Sequence, residues 1–145
     1  MGTKSEKAVE LFKKGLNCSQ AVFASFCEDY GLGSEFALKI GCGFGGGVRS
    51  GEICGAVSGA VMVIGLKYGN GSIEDLESKG NCYAKTSEFL DKFRDINGSV
   101  VCRDLLGCDI STAAGLQLAK DKGLFSTTCV DLVRSSCELL EGLGY

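Results

Sequence analysis

The sequence predicts an all-α fold, a compact multi-helix bundle with a glycine-rich loop ahead of a central apolar helix. Three observations carry this expectation. Apolar residues recur at helical spacing through most of the 145 residues, no stretch sustains the alternation of a strand, and proline is absent. Helices can therefore run unbroken, and the 22 glycines must make most of the turns.

Taken in order, Ala8, Val9, Leu11, Phe12 and Leu16 mark a helix over Ser5–Leu16 that Gly15 helps to close. Asn17 reads as the N-cap of the next helix, with Gln20 three residues on in the capping-box arrangement. That helix runs to about Tyr30 and ends at Gly31 and Gly33. Ser34–Ile40 is a shorter helix. Gly41–Gly51 is six-elevenths glycine, which is costly to order, and is expected to be a loop whose backbone approaches something closely, or a mobile lid.

Glu52–Tyr68 follows as an apolar helix. Gly55, Ala56, Gly59 and Ala60 lie on neighbouring turns and allow close helix approach, which places this helix at the centre. Ser72, with Glu74 and Asp75 in the first turn, starts a long amphipathic helix to about Asn97, ended by Gly98. Ser99–Val101 could be extended. Arg103–Leu106 is a short turn stopped by Gly107. Ser111 caps a helix to about Lys122, and Thr128, with Asp131 three residues on, could cap the last one, to about Leu143.

Length and the absence of a linker or repeat predict one domain, residues 1–145. A net charge of -3 provides no basic field for nucleic acid. The charged N-terminal segment has no signal-peptide core, and the longest apolar stretch, Ala56–Leu66, falls short of the roughly 20 residues of a spanning helix. The expectation is a cytoplasmic protein with no membrane insertion, in which thiols stay reduced.

Nine cysteines and no histidine mean that any metal site or redox couple is expected to be built from sulfur. No two cysteines form a CxxC, which argues against a thioredoxin-type pair and paired zinc knuckles. The helix map sorts them. Cys18, Cys54, Cys102 and Cys129 fall at four helix starts, where free N–H groups and the positive dipole end favour a thiolate. Helix-end cysteines can also be inert when buried in apolar surroundings. Cys27, Cys82 and Cys137 fall inside helices as small hydrophobes. Cys42 sits in the glycine loop, and Cys108 could join either set. Arg49 is the only cation of that loop, and no GKS or GKT follows it, so nucleotide binding is not expected. Asp29, Glu52, Asp104 and Asp109 read as solvated helix ends.

Cys54-Gly55-Ala56-Val57-Ser58-Gly59 is a CGAxxG motif. With Asn17-Cys18, the FGGG of Phe44–Gly47, the GLKYG of Gly65–Gly69 and the CRDLLGCD of Cys102–Asp109, it closely resembles the C_GCAxxG_C_C family, from about Asn17 to the last helix. The resemblance implies a helical fold, a redox role and the frequent company of transporter genes. It implies Cys18, Cys54, Cys102 and Cys129 as the family cysteines, with Cys108 as a fifth. A related domain occurs in haem-bearing proteins, but without CxxCH or histidine this chain cannot bind haem in that way.

Three functions are then open. The four cysteines, joined by Cys108 as a candidate metal ligand, could bind an iron–sulfur cluster, a [2Fe–2S], for electron transfer. They could instead run metal-free thiol/disulfide chemistry, with Cys54 the attacking catalytic thiolate beside the loop that carries Cys42. They could also close a structural zinc site in a transporter-associated adaptor. The first is preferred, with a redox partner implied and a homodimer possible through the small-residue helix.

Overall fold

The computed structural model describes residues 3–145, and these are all-helical. Helix α1 spans Lys4–Lys13. Thr3 caps it with a reciprocal capping box to Glu6, and Gly15, at φ 119°, turns the chain soon after it, so Leu16 lies outside the helix. Helix α2 spans Cys18–Phe26, with Asn17 and Gln20 forming the capping box that the sequence predicts. It tightens into a 3-10 turn over Cys27–Tyr30, ended by Gly31 in the left-handed region. Helix α3 spans Ser34–Gly41 and leads into a 3-10 turn over Cys42–Phe44.

The glycine-rich segment is more structured than its composition suggests. Gly46, Gly47, Val48 and Arg49 are four successive residues with φ between 57° and 66°, a short left-handed turn closed by the Glu52 N–H on the Gly47 carbonyl at 3.1 Å. Glycine adopts this conformation freely, but at Val48 and Arg49 it costs about 1–2 kcal/mol per residue.

Helix α4 spans Gly55–Tyr68, with Cys54 as its N-cap, three residues later than the sequence suggests. Glu52–Cys54 is instead extended and paired with the chain around Val101. Ile53 bridges Val101 antiparallel, the Cys54 N–H donates to the Val100 carbonyl at 2.8 Å, and the Cys102 N–H donates to the Glu52 carbonyl at 2.6 Å. Long-range hydrogen bonds thus claim the residues that would have been the first turn.

Helix α5 spans Leu76–Asn97 and is capped by Asp75, not Ser72, and ended by Gly98. Helix α6 spans Cys102–Leu106 and stops at left-handed Gly107. Helix α7 spans Ala113–Asp121; Asp109 holds the Ser111 N–H and hydroxyl, which leaves Thr112 as the cap. Helix α8 spans Thr128–Gly142, with Thr128 as its first residue rather than its cap. Thr127 spends its hydroxyl on the Gly123 carbonyl instead.

The main core gathers Val22, Phe26, Val57, Ile64, Phe89, Phe93, Val133 and Leu140 from α2, α4, α5 and α8, together with Ala8 of α1. Burying each large side chain contributes about 1.5–3 kcal/mol. Cys27 and Cys137 are fully buried within it, and Cys82 packs half-buried against it. Helix α4 is central. A Cβ on Gly59 would lie 2.7 Å from the Ser19 carbonyl oxygen, so its absence lets α2 and α4 touch. The Ser136 hydroxyl donates to the Ala56 carbonyl at 2.7 Å and ties α8 to α4. A second cluster, Cys102, Leu106, Ile110 and Ala119, links α6 and α7. Among the described residues no helix is long and apolar enough to cross a membrane.

Gly59→Ala is expected to lose about 1–3 kcal/mol of stability in denaturant unfolding, because the α2–α4 contact has no room for a methyl group. An unchanged midpoint would contradict that contact.

Candidate functional site

Four helix starts meet at one place. Cys18 is the first residue of α2, Cys54 caps α4, Cys102 is the first residue of α6, and Cys129 is the second of α8. All four line one cavity of about 120 Å³, whose other walls include Phe12, Leu106, Ile110, Phe125 and Leu132. The cavity draws on both clusters, since Cys54 belongs to the main core and Cys102, Leu106 and Ile110 to the second.

The local sequence explains the closest pair. A Cβ on Gly55 would collide with the Cys18 sulfur, so the residue after Cys54 has to be glycine for that sulfur to sit over the start of α4. The Gly55 position also faces the Phe44 carbonyl of the glycine-rich segment. In the motif, therefore, Gly55 makes room for a sulfur and Gly59 makes room for a helix.

Electrostatics divide the four thiols. Cys18 is pulled down to about 6. The neighbouring Cys54 thiol does most to lower it, followed by the backbone N–H groups of Gly46, Ser19 and Cys18 itself, and these outweigh its burial. Cys54 is pushed far above the usual thiol range, chiefly by the neighbouring Cys18 sulfur and then by its burial beside the Cys18 charge. The two sulfurs thus share one proton at neutral pH and titrate as a pair. Burial pushes Cys102 up to about 11, with the charges of Cys18, Cys108 and Asp109 adding to it and Arg49 opposing it. Burial raises Cys129 to about 12, followed by the charges of Cys18, Cys102 and Cys108.

The other sequence candidates lie outside the cavity. Cys108 is half-buried against the second cluster, and Cys42 is exposed. The Cys42 carbonyl accepts from the Asn17 side chain at 2.8 Å, which ties the glycine-rich segment to the start of α2. Among the described residues no three of the Cys, Asp and Glu side chains converge closely enough to hold a single metal ion. Of the acidic residues near the cysteines, Glu52 pairs with Arg103 at 2.8 Å and Asp29 with Lys4 at 2.7 Å.

The close backbone approach expected of the glycine loop is made at Gly46, whose N–H helps to lower the Cys18 thiol. Arg49, which lines the cavity, escapes sequence reasoning. The only sequence signal was that Arg49 is the sole cation of the loop.

A family model described as "Putative redox-active protein (C_GCAxxG_C_C)" matches residues 16–143. The chain belongs to the C_GCAxxG_C_C family. A relative from Archaeoglobus fulgidus, described as "Uncharacterized protein", is 32% identical over 108 residues, covering 68% of this chain and 71% of its own. No solved structure matches. The family's description is that of a redox-active protein, and this chain's CGAxxG run is the α4 start where Gly55 makes room for the Cys18 sulfur.

In metal-free protein, alkylation by iodoacetamide should label Cys18 ahead of Cys102 and Cys129, with a rate that rises through about pH 6. Cys54→Ala removes the largest cause of the lowering, so the half-maximal rate must move to higher pH. Peptide mapping across pH checks both statements; a profile that stays put in Cys54→Ala would contradict the shared proton.

Proposed function

We propose that this is an electron-transfer protein in which Cys18, Cys54, Cys102 and Cys129 hold an iron–sulfur cluster, a [2Fe–2S]. The observation that carries the reading is that all four cysteines line one small, largely apolar cavity from four separate helix starts. Such a cluster supplies reversible one-electron chemistry, with a potential tuned by hydrogen bonds to sulfur and by burial. The donor set fits it. A single zinc requires four sulfurs about 2.3 Å from one point, and these side chains do not converge on a point but border a volume. Buried Cys102 and half-buried Cys129 both resist ionisation, so thiolates there call for a metal charge. The N–H groups of Gly46 and Ser19 would keep the Cys18 sulfur oriented. The reading implies a redox partner, and transporter association and a cytoplasmic setting belong to the same proposal.

A second reading is favoured by the opposite shifts of the neighbouring thiols, Cys18 lowered and Cys54 raised, each chiefly by the other. In thiol–disulfide exchange, the Cys18 thiolate would attack a substrate disulfide and release one thiolate. Forming that mixed disulfide quenches the Cys18 charge that held the Cys54 proton, and Cys54 can ionise. Its thiolate would then attack Cys18, releasing the second substrate thiol and leaving a Cys18–Cys54 disulfide. Here Cys18 attacks and Cys54 resolves, whereas the sequence suggests Cys54 as the attacking thiolate.

Protein purified anaerobically should carry stoichiometric iron and broad visible charge-transfer bands, both lost in Cys18→Ala and in Cys129→Ala. A colourless, iron-free protein that forms a reversible Cys18–Cys54 disulfide would replace the cluster with dithiol exchange, and Cys129→Ala would then leave the couple intact.

A further inference from the structure

Among the described residues the left-handed turn holds both non-glycine positions with positive φ, and it borders the cavity. Val48 and Arg49 both hold φ 57°, and Val48 is β-branched, so neither suits the conformation. Strain of this kind persists only where surrounding structure enforces it, and it concentrates at functional sites. Several bonds enforce it here. Glu52 closes the turn on Gly47 at 3.1 Å, and Arg103 binds the Gly51 carbonyl at 3.3 Å and the Glu52 carboxylate at 2.8 Å. The Glu52 carbonyl in turn receives the Cys102 N–H at 2.6 Å. The turn is therefore anchored to the helix that carries one of the four cysteines.

The turn delivers one charge. Arg49 lines the cavity, and its guanidinium lies against Gly46, where a Cβ would come within 2.5 Å of it. Gly46 lines the same cavity as Cys18, and its N–H helps to lower the Cys18 thiol. Arg94, Arg103 and Arg134 each pair with a carboxylate, at 3.2, 2.8 and 3.1 Å. Among the described residues Arg49 has no such ion pair, and it is the one cationic side chain lining the cavity.

We propose that Arg49 sets the charge balance of the cysteine cavity, its guanidinium favouring the reduced, more negative state of the site. The proposal rests on the redox reading above and assigns its tuning residue. Reduction adds one negative charge under either form of that reading. A cluster takes one electron from a one-electron donor, with no bond broken and no proton taken up. A Cys18–Cys54 disulfide takes two electrons from a dithiol, whose own disulfide forms, and one proton, giving a Cys54 thiol and a Cys18 thiolate. A neighbouring cation favours the product in both cases. Arg49 is thus a positioning residue for charge, acting through the cysteines rather than on a substrate.

The experiment is a redox titration of anaerobically purified protein, with dithionite or a dithiol buffer as the couple requires, comparing parent, Arg49→Lys, Arg49→Gln and Arg49→Met at low and high salt. The two neutral variants should lower the midpoint potential by about tenfold in the reduction equilibrium, about 59 mV for one electron and about 30 mV for two. Arg49→Lys should stay near the parent, and the gap should narrow as salt screens the exposed guanidinium. Iron content and visible spectrum serve as the readouts of an intact site. An intact couple with the parent's potential in both neutral variants would overturn the role of Arg49 and leave the redox reading standing. Failure of both neutral variants to fold would make Arg49 a structural residue and overturn it as well. A parent with no reversible couple would remove the redox reading, and this inference with it.

Discussion

The contact between the start of α2 and the start of α4 is the constraint on which the rest of the structure depends. Two helices can approach this closely only where one of them has no side chains, and α4 meets the requirement with glycines four residues apart. Gly59 lets its backbone touch the Ser19 carbonyl, and one turn earlier Gly55 yields its side-chain space to the Cys18 sulfur. Once α2 and α4 are seated, Cys18 and Cys54 lie on one cavity and shift each other's ionisation. The Ser136–Ala56 bond draws in α8 with Cys129, and the Ile53–Val101 pairing draws in α6 with Cys102. The cavity is what remains between helix starts that are each held by a different interaction.

That geometry has an electrostatic consequence. Apolar walls tolerate a single negative charge, and it resides on Cys18, where a thiol and three backbone N–H groups meet one sulfur. Every further thiolate would face burial and repulsion together, which is why Cys54, Cys102 and Cys129 hold their protons. A site of this kind is poised: it accepts more negative charge only together with something positive. The left-handed turn contributes to the same balance, since its Gly46 supplies an N–H and its Arg49 a charge.

Much of the fold was legible because local chemistry and tertiary contacts agreed. The Asn17–Gln20 capping box, the glycine stops at Gly31, Gly98 and Gly107, and the central position of α4 all follow from residue type and spacing. The helix starts of Cys18 and Cys102 were readable for the same reason. The boundaries that differ were decided elsewhere in the chain. Glu52 and Ile53 have a helical pattern but are taken by pairing with residues 100–102, and Ser111 loses its capping role to Asp109. The left-handed turn could not be read at all, because valine and arginine carry no preference for it and the anchors at Arg103 and Glu52 act across about fifty residues. Spacing alone could not show that four scattered cysteines border one volume, since no two of the four are local neighbours; the helix starts and the family likeness both picked that set, and tertiary structure supplies the cavity.

Iron X-ray absorption on the anaerobically purified protein tests the central claim most directly, because it reports which atoms surround the metal. The account predicts iron bound by sulfur alone, with a second iron as near neighbour. Nitrogen or oxygen in the first coordination shell, or iron that washes out with no change in the thiols, would contradict a site built from Cys18, Cys54, Cys102 and Cys129.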